Sequence, residues 1–284
     1  MLSRFVKLGV LGLVGTYVIA LAVTFAIQRD LIYFRELSSK LRKPGALAIT
    51  GSTRVTIPTH DGEKLAGWYL PPRDADSPVF LFFHGKGGGL ERKTQRWVAI
   101  AGHGAGVLAI SYRGYPGSTG SPSEKGLYED ARSAYAWLRQ KFEPVDIVLH
   151  GLSLGTGVAA KLAAEVEARA LILEAPFTAL VDVAADRHPY FPVSLLMWDQ
   201  FPTRDIIASV DMPLLIVHGD HDRVIPLGHA RKLFKLAHEP KKLVVMRGGR
   251  HNSLSRDGMY AFVWSFLAGD AKKMTESIAK AVQE

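Results

Sequence analysis

The chain has 284 residues, 48% of them hydrophobic, with no cysteine and a formal net charge of +8. Lack of cysteine excludes disulfides and thiolate metal sites, and the length leaves room for one large domain with a substantial core. The charge is uneven: up to Lys43 there are seven basic residues against two acidic ones, a net +5, so the excess is a local collar suited to anionic headgroups and gives no reason to expect nucleic acid.

The first predicted element lies just inside that collar. From Leu8 to Ile27 the sequence is uncharged and mostly apolar for 20 residues, enough for one helical crossing of a hydrocarbon core. Residues 1–29 are therefore expected to be a transmembrane anchor and residues 30–52 a basic juxtamembrane segment. Ala20-Leu21-Ala22 resembles a signal-peptide cleavage site, but the apolar run continues through Val23, Phe25 and Ile27, which argues for retention. Two basic residues precede the span and five follow it closely, so the positive-inside rule favours a cytoplasmic body. Read as an anchor alone, residues 1–29 should be dispensable for activity.

The remaining elements fall into one domain over residues 53–270, followed by a helical tail over 271–284. Arg54–Pro58 and Leu65–Leu70 read as a hairpin around Thr59-His60-Asp61-Gly62, placed at a sheet edge. Val79–Phe83 is entirely apolar, as in a parallel strand covered on both faces. Strands at Val107–Ile110, Val145–Leu149, Ala170–Leu173, Leu214–Val217 and Leu243–Met246 then alternate with helices around Trp97–Ala101, Glu124–Lys141, Gly228–Ala237 and Gly258–Leu267. This order predicts a doubly wound, mostly parallel sheet with its reactive groups at the carboxyl ends of strands. Residues 174–213 form a short excursion with the apolar, aromatic middle Pro189-Tyr190-Phe191-Pro192-Val193-Ser194-Leu195-Leu196-Met197-Trp198. It is long enough to wall one side of a pocket or to fill core beneath a small helix.

Those strand ends carry the chemistry. Gly151-Leu152-Ser153-Leu154-Gly155 sits between a β-branched run and a helical pattern, the context in which G-x-S-x-G is a nucleophile elbow: glycine neighbours permit a turn that lifts the serine clear of the sheet. The loop His84-Gly85-Lys86-Gly87-Gly88-Gly89 can present backbone N–H groups to a substrate, completing an oxyanion site with the N–H of Leu154. A phosphate loop is excluded by order, because the lysine precedes the glycines. His218-Gly219-Asp220-His221-Asp222 supplies two competing acids; residues so close on one loop seldom converge on a metal. On the glycine-rich loop after the last strand, His251 is positioned as a base. His103, His229 and His238 fall on helices or helix ends, where solvated side chains are expected.

The chain thereby resembles the α/β-hydrolase superfamily, from about Thr53 to Leu267, in the order Ser153, aspartate, His251. The stretch Tyr112-Arg113-Gly114-Tyr115-Pro116-Gly117 through Glu129-Asp130-Ala131 is similar to the branch of small membrane-anchored hydrolases termed serine-peptidase-like or acyl-thioesterase-like. That resemblance implies an α/β-hydrolase fold with a short lid, Asp222 as the triad acid, and Lys86 N–H as the first oxyanion donor. It also implies ester or thioester hydrolysis through an acyl-enzyme, without a cofactor or metal, on a small-molecule or lipid-like acyl substrate. Ser111 departs from the branch, which often has an acidic residue there. Amide hydrolysis of the aminopeptidase kind shares this machinery. A membrane-anchored binding protein on an idle hydrolase fold is the alternative of another class.

Overall fold

A computed structural model describes residues 2–33, 50–87, 90 and 94–269. The expected tail over 271–284, most of the expected segment 30–52, and Gly88 and Gly89 lie outside the described residues. One eight-stranded sheet organises the body, in the order β1-β2-β4-β3-β5-β6-β7-β8. The strands are β1 (Thr53–Pro58), β2 (Lys64–Leu70), β3 (Val79–Phe83), β4 (Gly106–Ile110), β5 (Ile147–Leu152), β6 (Ala170–Glu174), β7 (Leu214–Gly219) and β8 (Lys241–Met246). The β1–β2 hairpin runs antiparallel at one edge, β2 also pairs antiparallel with β4, and every other pairing is parallel. Strands β3 to β7 are buried along their whole length, because helices cover both faces. These are α2 (Thr94–Ala101), α3 (Glu124–Arg139), α4 (Leu154–Ala163), α8 (Leu227–Leu236) and α9 (Met259–Leu267).

Strand β5 starts later than expected. Pro144–Asp146 forms a 3₁₀ turn, closed by a Glu143–Asp146 capping box that takes these residues out of extended geometry. Val145 is 67% exposed, so its β-branched side chain misleads a periodicity reading.

The Tyr112-Arg113-Gly114 stretch acts as a clamp. Arg113 Nε donates to Asp130 Oδ1 at 2.7 Å, its backbone N–H donates to Asp130 Oδ2 at 2.8 Å, and Nη1 and Nη2 donate to Asp61 at 2.7 and 3.0 Å. The turn of the edge hairpin is thus tied through one guanidinium to a fully buried carboxylate on α3. Removing one partner of such a pair strands the other without solvation. Arg113→Met should therefore cost about 3–5 kcal/mol, and thermal denaturation of the detergent-solubilised protein should show a melting point lower by roughly 6–20 °C. A melting point within about 2 °C of wild type would mean that Asp130 finds another partner. Ser111 belongs to the same knot: its Oγ donates to the Pro116 carbonyl at 2.9 Å, and its own carbonyl accepts from Ser118 Oγ at 2.6 Å.

The first helix, α1 (Leu2–Tyr33), continues past the boundary expected at position 29. Its segment Arg4–Tyr33 is long and apolar enough to cross a membrane, and holds an 18-residue stretch with a mean hydropathy of 2.3. Between β6 and β7 lie three short helices, α5 (Leu180–Arg187), α6 (Val193–Leu196) and α7 (Thr203–Ile206), the excursion expected as a lid. The end of α1 is bonded to it. Gln28 Nε2 donates to the Leu196 carbonyl at 3.2 Å, Gln28 Oε1 accepts from Trp198 N–H at 2.8 Å, and Arg29 Nε donates to Asp199 at 2.8 Å. Asp199 in turn accepts from the Glu124 N–H at the start of α3, at 3.0 Å. The Glu124 carboxylate accepts from the N–H groups of Gln200 and Phe201 at 2.6 and 3.0 Å.

Candidate active site

Ser153 caps α4 with φ 51° and ψ −119°, a region that costs a non-glycine residue about 1–3 kcal/mol. Its surroundings enforce the turn. A Cβ on Gly155 would collide with the Phe83 carbonyl, and one on Gly151 with the Gly155 carbonyl, so neither flank can carry a side chain. The Ser153 N–H donates to the Glu174 carbonyl at 2.9 Å. Parallel register opposes Phe83 to Gly151 and Leu152 to Glu174, so the loops leaving β3 and β6 flank the serine.

Two further strand ends bring the partners. His251 Nε2 lies 2.9 Å from Ser153 Oγ, and His251 Nδ1 lies 2.7 Å from Asp222 Oδ2. With Asp222 ionised, Nδ1–H donates to the carboxylate and Nε2 accepts from the serine hydroxyl. The other Asp222 oxygen accepts from the N–H groups of Val224 and Ile225 at 2.7 and 2.9 Å. Burial acts to raise the Asp222 pKa, but the His251 hydrogen bond and charge and these two N–H donors outweigh it and hold the carboxyl below its ordinary value. Asp220 faces away from the histidine: its Oδ1 accepts from the Gly248 N–H at 2.7 Å and meets His221 Nδ1 at 2.8 Å. It pins the loop that carries His251. A Cβ on Gly219 would strike the Gly249 carbonyl, so that loop packs directly on the end of β7.

The glycine-rich loop after β3 runs beside the nucleophile. A Cβ on Gly85 would sit 3.2 Å from Ser153 Cβ and 3.7 Å from its Oγ, space that glycine leaves open. Tyr115 Oη donates to the Lys86 carbonyl at 3.3 Å, which helps to fix the orientation of the peptide that follows Lys86. Leu154 opens α4, so its N–H is among those with no acceptor inside the helix. Burial, helped by the Arg187 charge, pushes the Lys86 ammonium pKa down. Ser153, Lys86 and Leu154 all line a cavity of about 360 Å³. Its other walls are the lid, through Phe177, Val183, Phe191 and Met197, and the last turns of α1.

Beneath the elbow lies a buried cluster absent from the sequence reading. Arg96 Nε and Nη2 donate to the two oxygens of Glu174 at 2.9 and 2.5 Å, and His150 Nε2 is 3.6 Å from the same carboxylate. Burial acts to raise the Glu174 pKa, yet the guanidinium charge and hydrogen bonds bring it down to about 2. The signal for it was a glutamate closing an otherwise apolar strand. His229, expected to be solvated, is buried: its Nδ1 meets Thr178 Oγ1 at 2.8 Å and its Nε2 lies 3.3 Å from Asp186. His103 stacks on Trp264 with ring centroids 4.5 Å apart. Among the described residues no group of His, Asp and Glu side chains has the arrangement of a metal site.

Residues 78–192 match the family model of the alpha/beta hydrolase fold. The chain is 30% identical over 207 residues to human alpha/beta hydrolase domain-containing protein 17B, covering 71% of this chain and 70% of that one. It is 34% identical over 201 residues to the lysophosphatidylserine lipase ABHD12 of Danio rerio, covering 63% of this chain and 52% of the relative. Among solved structures, an alpha-beta hydrolase from Vibrio vulnificus superposes with a TM-score of 0.70 at 23% identity, over 86% of this chain and 92% of that one.

Proposed function

Since the chain belongs to the alpha/beta-hydrolase family, we propose that it is a membrane-anchored serine hydrolase that cleaves an acyl ester or thioester. The observation that carries this reading is the continuous hydrogen-bonded chain from Ser153 through His251 to Asp222, opening on a largely apolar cavity. Ser153 Oγ attacks the acyl carbonyl while His251 Nε2 takes its proton, and Asp222 holds the imidazole in the required tautomer and stabilises its charged form. The N–H groups of Lys86 and Leu154 receive the oxyanion. The imidazolium then protonates the departing alcohol or thiol. Water, deprotonated by the same histidine, releases the acid and restores the serine. No step needs a cofactor. The lid over residues 174–213 walls the acyl side, α1 crosses the bilayer once, and the excess of basic residues after α1 favours a cytoplasmic body.

The cavity lies within the range of about 300–1,000 Å³ usual for small-molecule sites, and its apolar lining selects for chain rather than for a charged aminoacyl group. On p-nitrophenyl esters, kcat/KM should rise from acetate towards octanoate by up to about fourfold per methylene, the equivalent of ~0.8 kcal/mol. It should also exceed the value on aminoacyl amides. A preference for aminoacyl amides, or a steady decline from acetate onward, would replace this reading with the peptidase-like one. Failure of a fluorophosphonate to label Ser153 would leave the non-catalytic reading.

A further inference from the structure

The anchor helix also takes part in the site. Leu21, Thr24, Phe25, Gln28, Leu31 and Ile32, one face of its last three turns, line the same cavity as Ser153. This face is held in place by more than apolar contact. Gln28 hydrogen-bonds the lid backbone in both directions, Arg29 pairs with the buried Asp199, and Tyr17 Oη donates to the Tyr190 carbonyl at 2.6 Å. Phe25 meets Trp198 edge to face with ring centroids 4.8 Å apart. The helix and the lid are therefore joined from Tyr17 to Arg29, a rise of about 18 Å.

The uncharged run ends at Ile27, and a hydrocarbon core takes about 20 residues of helix. Tyr17, Leu21, Thr24 and Phe25 then lie at the depth of the lipid chains, and the lid beside them lies there too. Its outer surface agrees. Tyr190 and Leu195 are 85% and 83% exposed, and no charged residue interrupts Pro189–Trp198. Such a surface is costly in water and at home in a bilayer.

We propose that α1 is the specificity wall of the acyl pocket, and that the substrate is a bilayer-resident acyl lipid whose chain lies along α1 to reach Ser153 without leaving the leaflet. This rests on the hydrolase reading above. Thr24 faces the cavity, whereas Val23, on the neighbouring face, lies outside its lining and is half exposed.

The test uses full-length protein in nanodiscs with p-nitrophenyl acetate and p-nitrophenyl dodecanoate. Thr24→Trp should lower the dodecanoate-to-acetate ratio of kcat/KM by about tenfold or more, while Val23→Trp leaves it within about twofold. If Thr24→Trp yields no folded protein, Leu21→Phe puts a smaller increment on the same face, with a ratio lowered at least about threefold. A ratio unmoved by the cavity-facing substitution, or a ratio that Val23→Trp lowers equally, overturns the pocket wall and leaves the hydrolase reading intact; a wild type active on acetate alone overturns the pocket wall and the acyl-chain preference together, with the serine nucleophile still standing. Absence of all ester turnover, with no fluorophosphonate labelling of Ser153, overturns the hydrolase reading and this inference with it.

Discussion

Alanine at Ser153 or at His251 should each lower kcat by about 10⁴ or more, and the double variant should lose little beyond either single one. The two groups work as one unit: the hydroxyl at 2.9 Å from Nε2 is a poor nucleophile until the imidazole accepts its proton, and the imidazole has nothing to activate once the hydroxyl is gone. Neither substitution should disturb the fold, because Ser153→Ala keeps the elbow glycines and His251 sits on a loop held by Asp220 and Gly219. Steady-state turnover, with thermal melts of each variant, checks this. A variant that folds and keeps a tenth of wild-type turnover would refute the mechanism.

The second large effect separates two aspartates that the sequence leaves side by side. Asp222→Asn should cost about 10³–10⁴ in kcat. The amide would present N–H to Nδ1, drive the proton to Nε2 and leave the ring unable to accept from Ser153. Asp220→Asn keeps an oxygen for the Gly248 N–H and should cost less than about tenfold. Equal losses at both positions would show that the loop, rather than the charge at Asp222, limits the reaction. The pH dependence has a definite sign. Because the Asp222 pKa is depressed in the folded protein, the stability of its bond to His251 is fully present above the unfolded carboxyl value of about 3.9 and is lost only as pH falls below it through the folded value. Protonation of Asp222 therefore does not set the acid limb of activity at milder pH.

How legible was this in the residues alone? The elbow, the alternation of strands and helices and the edge hairpin were, because each depends on local chemistry: glycine where a side chain would collide, unbroken apolar runs where both faces are covered, an Asp-Gly turn. Asp222 was favoured over Asp220 by family likeness and by its place two residues further along the loop; which of them meets His251 depends on how the loops after β7 and β8 stack. His229 was misjudged because its partners, Thr178 and Asp186, come from the lid, 51 and 43 residues away. Arg96 and Glu174 escaped notice for the same reason. The largest omission concerns α1. Thr24 and Gln28 are too slight a polar stripe to mark a face, so the helix reads as an anchor and residues 1–29 as dispensable. Gln28 and Arg29 bond the lid, and the cavity would lose a wall without them, so deletion of residues 1–29 is replaced by point substitution as the way to separate anchoring from activity.

The bonds from Gln28 and Arg29 to Leu196, Trp198 and Asp199 have a mechanical meaning. A membrane helix whose apolar length differs from the thickness of its bilayer relieves the mismatch by tilting. In a free-standing anchor that tilt ends at the surface. Here the helix is bonded to the lid and lines the same cavity as the nucleophile. On the proposed membrane reading, bilayer thickness is therefore expected to act on the width of the site, and turnover compared between nanodiscs of short and long acyl chains would reveal it.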